Sequence, residues 1–197
     1  MRVFKLMLIG LCCVGSTIPI QAFCQSQFNE VALSAGLEHF YVNNRRMGGG
    51  AAFFDFNNDG WLDIYLNGGE VRDALYQNNG DGTFTESNDP AFDITLNMKT
   101  VGVATGDIDN DGFREIFVTT WEGFPNLLFY NNGDGTFTEI GVAAGIGDTY
   151  RCISATFGDY NLDGFLDIYV ANHVESVGFT YDSTTCLLYT SPSPRDE

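Results

Sequence analysis

Nine consecutive residues, Asp55-Phe56-Asn57-Asn58-Asp59-Gly60-Trp61-Leu62-Asp63, carry oxygen-bearing side chains at positions 1, 3, 5 and 9 and a glycine at position 6. The pattern returns at residues 107–115 and 159–167, 52 residues further on each time. These segments are loop 1, loop 2 and loop 3. The glycine lets the backbone turn sharply, so the oxygens converge on one point. Convergence is costly by itself, because two carboxylates about 4 Å apart repel by roughly 1 kcal/mol in water and about 4 kcal/mol at an effective dielectric of 20. A hard cation that takes about 6 to 8 oxygen ligands removes that repulsion. The loops therefore predict three calcium sites. Their side-chain oxygens come from Asp55, Asn57, Asp59 and Asp63; from Asp107, Asp109, Asp111 and Glu115; and from Asp159, Asn161, Asp163 and Asp167.

Other readings of the loops fare worse. One such loop is readily an ordinary solvated turn, but three in register, each with a carboxylate at position 9, argue for chemistry. An EF-hand requires a glutamate at position 12, where this chain has Leu66, Val118 and Val170. Magnesium keeps its waters and prefers fewer carboxylates. Zinc is disfavoured because no loop contains histidine or cysteine.

The elements that must hold these loops are short and extended. One unit runs through an apolar segment, Ala51 to Phe54, loop 1, a second segment from Leu62 to Leu66, a polar stretch through Gly68-Gly69, and a third segment from Ala74 to Tyr76. The turn Asn78-Asn79-Gly80-Asp81-Gly82-Thr83-Phe84 then leads into a fourth. Asn-Gly and Asp-Gly between extended segments are strong hairpin signals, since these residues accept positive φ. The second unit repeats the plan over Val101 to Gly106, Ile116 to Thr119, Leu127 to Tyr130 and Thr136 to Ile140; the third has Ser154 to Gly158 and Leu166 to Ala171 and then fades. A repeat of about 50 residues with four strands per unit predicts an all-β fold, a β-propeller fragment of about two complete blades and part of another. Strands beside the loops are almost continuously apolar, as expected of sheets covered on both faces. Only Asp89 to Leu96 and Val142 to Gly145 leave room for a helical turn. Phe28-Asn29-Glu30 echoes Phe84-Thr85-Glu86 and Phe137-Thr138-Glu139 and is read as a detached strand that, in a complete ring, would finish the last blade.

Both ends read differently from the repeats. Arg2 and Lys5 precede an apolar run from Leu6 to Val14, followed by small or neutral residues up to Ala22, which is a secretory leader over 1–24 with cleavage after Ala22 or Cys24. The run is shorter than the roughly 20 residues of a membrane span. Residues 186–197 resemble one reading frame of a sequencing-library adapter and are read as a non-native tail, leaving 25–185 as the partial propeller. The net charge of -17 repels nucleic acid and anionic lipid, so neither is expected as a partner, and no membrane insertion follows leader cleavage. Of the five cysteines, Cys152 is read either as a buried small hydrophobe or as the disulfide partner of a cysteine beyond this stretch of sequence, which export permits.

On these motifs the chain resembles the FG-GAP or VCBS-type repeats of integrin α-subunit propellers and of secreted bacterial proteins akin to cartilage acidic protein (ASPIC/UnbV-type). The residues that carry the likeness are Met47-Gly48-Gly49-Gly50 leading into Phe54-Asp55, the three acidic loops, and the Asn-Asn-Gly-Asp-Gly-Thr-Phe turns. The resemblance implies that the carbonyls of Trp61, Phe113 and Phe165 join the side-chain ligands. Glu115 stands where that family carries aspartate, and its longer arm predicts a slightly looser site.

Little else in the sequence carries chemistry. His39 and His173 lie in no nucleophile or metal pattern and are read as structural or solvated, and Arg45-Arg46 as a solvated loop. Trp61 and Trp121 offer rings for a sugar, although Trp61 is expected to pack within its own blade. The function expected is a secreted, calcium-binding, non-enzymatic scaffold for an extracellular protein or glycan. The alternative is the propeller portion of a secreted polysaccharide lyase or hydrolase with its catalytic residues elsewhere.

Overall fold

Hairpins close at the Asn-Gly and Asp-Gly turns, and each repeat folds into one antiparallel sheet. The computed structural model describes residues 28–43, 48–121, 123–173 and 186–190; the whole leader, Arg45-Arg46 and the last seven residues lie outside the described residues. Residues from Val31 onward form one unit, to which the following applies, and Met1–Glu30 form another.

Strands β1 (Ala51–Phe54), β2 (Asp63–Leu66), β3 (Ala74–Asn78) and β4 (Phe84–Glu86) make the first sheet in sequence order. The second sheet repeats this order with β5 (Thr100–Gly106), β6 (Glu115–Thr120), β7 (Leu127–Asn131) and β8 (Phe137–Glu139). The third contains β9 (Cys152–Gly158), β10 (Asp167–Asn172) and β11 (Cys186–Tyr189). In every sheet an acidic loop joins the first strand to the second, and the registers are equivalent: Phe54 pairs with Asp63, Gly106 with Glu115, and Gly158 with Asp167. Each sheet is a propeller blade.

The blades meet face to face. Ile116 and Val118 of β6 pack with Tyr65 and Leu75 of the first blade, while Phe117, between them in sequence, packs with Ile168 and Val170 of the third. Alternate residues of one strand thus serve two cores, which is why β6 is buried at all six positions. β9 instead has only Cys152 buried and then alternates between partly buried and exposed residues, and β1 buries only Phe54, so the continuous burial expected from sequence holds for β6 and not for these two first strands. First strands approach one another closely: a Cβ on Gly50 would lie 3.0 Å from the Gly102 Cα, and one on Gly102 only 2.7 Å from the Ile153 carbonyl oxygen. Side chains at these two glycines would push the blades apart.

A short 3₁₀ helix, Pro90–Thr95, fills the space expected for a helical turn; Asp89 caps it by accepting from the Ala91 N–H, and Pro90 sits at its start. It delivers Phe92, fully buried between blades, edge-on to Tyr65 and Phe129 at ring separations of 5.6 and 5.0 Å. Truncating such a ring costs about 3–5 kcal/mol. The other Asp89 oxygen accepts from the Phe137 N–H at 2.7 Å and so ties the connector to the second blade. Val142 to Gly145 forms a turn.

Two polar locks hold the blades at their other end. Asp73, fully buried, accepts from Tyr65 Oη, Asn67 Nδ2 and Gly68 N in its own blade and from Thr100 Oγ1 in the next, at 2.6–3.0 Å. Burial pushes its carboxyl above the usual carboxylate range, and the donors oppose that rise. In the next interface Asn126 accepts from Thr120 N and donates to Cys152 Sγ. Cys152 is a buried free thiol in this chain, raised to about 11 mainly by burial.

Two expectations change. Phe28–Glu30 lies in no strand: its counterparts Phe84–Glu86 and Phe137–Glu139 are strands because β3 and β7 lie beside them, and among the described residues no strand pairs with it. What the segment after it does repeat is the turn: Leu37 N donates to Ala32 O and Gly36 N to Leu33 O, as Ile146 N does to Gly141 O and Gly145 N to Val142 O. The second change is at residue 186, where the repeat was expected to have faded. Cys186–Tyr189 adds to the edge of β10, which offers main-chain partners to any extended segment.

Candidate metal sites

The three loops are built alike because the same side chains bond the same main-chain groups. The position-1 aspartates, Asp55, Asp107 and Asp159, accept from the N–H of residues 5 and 6 of their loops at 2.8–3.2 Å. Asn57, Asp109 and Asn161 at position 3 accept from the N–H of position 5. Asp59, Asp111 and Asp163 accept from the N–H of Trp61, Phe113 and Phe165 at 2.8–2.9 Å. The position-9 acids Asp63, Glu115 and Asp167 are buried, and each accepts from the N–H of position 2. Gly60, Gly112 and Gly164 have φ of 88°, 94° and 94°, and a Cβ there would meet nothing within 4 Å. Glycine is required by the backbone angle and not by lack of space.

The loops part company at positions 3 and 9. In loops 1 and 3 the position-3 asparagine donates its Nδ2 to the position-5 carboxylate, Asp59 or Asp163, at 3.0 Å. Loop 2 has Asp109 there, which can donate nothing when ionised and instead accepts from Tyr130 Oη at 2.8 Å. That hydroxyl is pushed up to about 12 by its bond to Asp109. At position 9, both Asp63 oxygens accept N–H bonds, from Phe56 and Asn78. Glu115 is fully buried; its Oε2 accepts from Ile108 N, and its Oε1 has no hydrogen-bond partner. Burial, aided by Asp109 and Asp111 nearby and opposed by the main-chain N–H groups of Ile108 and Asn131, raises the Glu115 carboxyl to about 7.

Among the described residues, three carboxylates whose oxygens lie within 4.8 Å of one another occur at Asp107, Asp109 and Glu115. These acids can hold a metal ion: the donors are all oxygen, and the buried Glu115 Oε1 lacks a partner within the protein. Loops 1 and 3 share the scaffold but bring three carboxylates instead of four, and their asparagines bridge within the loop.

The remaining sequence candidates have structural places. His39 Nε2 lies 2.8 Å from the Asn67 carbonyl oxygen. Trp121 is 7% exposed, edge-on to His173, with the Arg151 guanidinium 5.6 Å over its ring, so it offers no open face to a sugar. Trp61 stays half exposed but lies over Gly80 in the turn of its own blade, where an added Cβ would come 2.9 Å from Nε1. Sequence reasoning missed Tyr130, Asp73 and Asn126. For Asp73 a signal existed, a lone acid in a polar stretch beside buried strands; the other two carry none.

Face-to-face four-stranded sheets with an acidic loop between first and second strands define a class of propeller repeat proteins. The chain belongs to the FG-GAP-like repeat family, whose profile matches residues 55–118 and 111–170. It is also similar to cartilage acidic protein 1 of Homo sapiens, 38% identical over 72 residues; that stretch is 36% of this chain and spans 11% of the length of the human protein.

Proposed function

We propose that the chain supplies blades to a secreted, calcium-binding propeller that acts as an extracellular scaffold for a protein or glycan ligand. The carrying observation is the buried Glu115 Oε1, without a partner beside Asp107 and Asp109. Calcium at loop 2 would take Asp107, Asp109, Asp111, Glu115 and the Phe113 carbonyl. Loop 1 would use Asp55, Asn57, Asp59, Asp63 and the Trp61 carbonyl, and loop 3 Asp159, Asn161, Asp163, Asp167 and the Phe165 carbonyl. The ion would neutralise each loop and tie the first strand of a blade to the second; the chain's own N–H donors orient the carboxylates for it.

Export is supported by the leader pattern of residues 1–24 and by the similarity to cartilage acidic protein 1. Among the described residues no helix is long and apolar enough to cross a membrane. Residues 186–197 enter the same proposal as a non-native tail, so a chain ending at residue 185 should keep its calcium response.

Thermal unfolding of the full chain with chelator and with calcium tests the reading. At calcium near 100 times Kd each filled site adds about 2.7 kcal/mol, or roughly 5–10 °C in Tm for a chain of this size. A Tm indifferent to chelator rejects it.

A further inference from the structure

The loops are bonded to one another through a residue that the ligand pattern skips. Position 4 is Asn58 in loop 1 and Asn110 in loop 2. Asn58 Nδ2 donates to the Gly112 carbonyl of loop 2 at 3.0 Å, and Asn110 Nδ2 donates to the Gly164 carbonyl of loop 3 at 2.9 Å. Both asparagines sit at positive φ, 57° and 62°, a region that asparagine tolerates better than most residues. The same contact thus recurs at two interfaces, from the same loop position to the same loop position of the next blade.

The recipient peptide matters. Gly112 N donates to Asp107 Oδ2, so one residue is held by its own loop's first aspartate through its N–H and by the preceding loop's asparagine through its carbonyl. On the donor side, Asn58 lies between Asn57 and Asp59, whose side-chain oxygens are proposed ligands. A cation that fixes positions 3 and 5 of loop 1 fixes the backbone of position 4 between them, and with it the donor aimed at Gly112. A cation at loop 2 fixes Asp107 and hence Gly112, the acceptor. In loop 3 position 4 is Leu162, at φ 59° and 82% exposed, which has no side-chain donor.

We propose that Asn58 and Asn110 couple the cation occupancy of consecutive loops, so that filling one raises the affinity of the next, and that this relay stops at Leu162. The inference rests on the calcium reading above. By linkage the coupling is reciprocal, so loop 2 must act on loop 1 as strongly as loop 1 acts on loop 2.

A double-mutant cycle on the full chain tests it, with terbium as the calcium surrogate and tryptophan-sensitised emission as the readout. Trp61 lies within loop 1, whereas Trp121 is a six-residue strand away from loop 2, roughly 20 Å. Loop 2 touches loop 1 through Asn58 and Gly112, so Trp61 can sensitise terbium in both, and the component assigned to loop 1 is the one lost in Asp59→Asn. Asp107→Asn weakens loop 2 from within; Asn58→Gly removes the bridge and suits the positive φ. Asp107→Asn should weaken terbium at loop 1 about fivefold, the lower end of ordinary coupling, and by less than about twofold when Asn58→Gly is also present. Asp111→Asn replaces Asp107→Asn if that variant does not fold. Equal weakening in both backgrounds, or none in either while the emission still saturates, overturns the coupling alone. Absence of sensitised emission from the parent chain overturns the cation reading and the coupling with it.

Discussion

Loop 2 and its two neighbours share a backbone and differ in how they settle their charge. Loops 1 and 3 place an asparagine at position 3, and its amide bridges to the position-5 carboxylate. Loop 1 also leaves neither oxygen of Asp63 unbonded. Loop 2 has a fourth carboxylate, Asp109, and a longer acid, Glu115, whose buried Oε1 makes no full hydrogen bond; the Asn131 N–H, counterpart of the Asn78 N–H that bonds Asp63, acts on the Glu115 carboxylate only weakly. Equivalent folds therefore settle their carboxylates unequally: loops 1 and 3 bridge two of their positions with an amide, and the middle loop has no such bridge. The sequence-based expectation of a looser second site considers arm length alone; charge and burial at Glu115 weigh the other way.

The largest break in this comparison should come from Glu115→Gln, which keeps the size of the side chain and removes its charge. In chelator the variant should melt above the parent, and most of the calcium increment at loop 2, about 2.7 kcal/mol at 100 times Kd, should vanish. The pH dependence carries the same signature. Glu115 is raised from 4.5 to about 7 in the folded chain. Between those values the folded state binds more protons than the unfolded state, so stability falls as pH rises, by at most about 1.4 kcal/mol per unit. In chelator the parent should lose stability across that window more steeply than Glu115→Gln, in which the raised Asp63 and Asp73 carboxyls still contribute with that sign; calcium should flatten the parent's slope. Melting curves from pH 4.5 to 7, with and without calcium, check both statements.

A smaller effect should follow from exchanging the position-3 residues. Asp109→Asn gives loop 2 the amide that bridges its neighbours, so chelated stability should rise by about 0.5–1 kcal/mol while calcium affinity falls. Asn57→Asp should do the reverse to loop 1. Calorimetric titration of both variants decides it, and parallel shifts in the two loops would erase the distinction drawn between them. The smallest effect expected is that of Tyr130→Phe. Losing one exposed hydrogen bond to Asp109 should cost about 0.5 kcal/mol in calcium-free denaturant melts.

Much of the fold was legible because the repeat declares itself in residues that only a few structures tolerate. Asn-Gly-Asp-Gly turns require positive φ, and the acidic loops recur at constant spacing, so strand order and loop placement could be read before any contact was known. Phe28–Glu30 forms no strand in this chain because a strand is a property of two segments, and likeness to Phe84–Glu86 says nothing about the partner. Of the loop acids read from sequence, Asp107, Asp109 and Glu115 gather within 4.8 Å of one another among the described residues, and how they are satisfied was illegible. Tyr130 reaches Asp109 from another strand, and Asn58 reaches Gly112 from another blade, across 21 and 54 residues of sequence. Neither belongs to a local pattern. The buried, half-bonded state of Glu115 depends on sheet packing that a one-letter difference from aspartate does not reveal.

The most direct test of the central claim is a crystal structure grown in calcium, with anomalous scattering to locate the ion. The account predicts an ion at loop 2 with Glu115 Oε1 in its coordination shell at about 2.3–2.6 Å, beside Asp107 and Asp109. An ion-free loop 2 under saturating calcium, or an ion there with Glu115 Oε1 still unbonded, would contradict it.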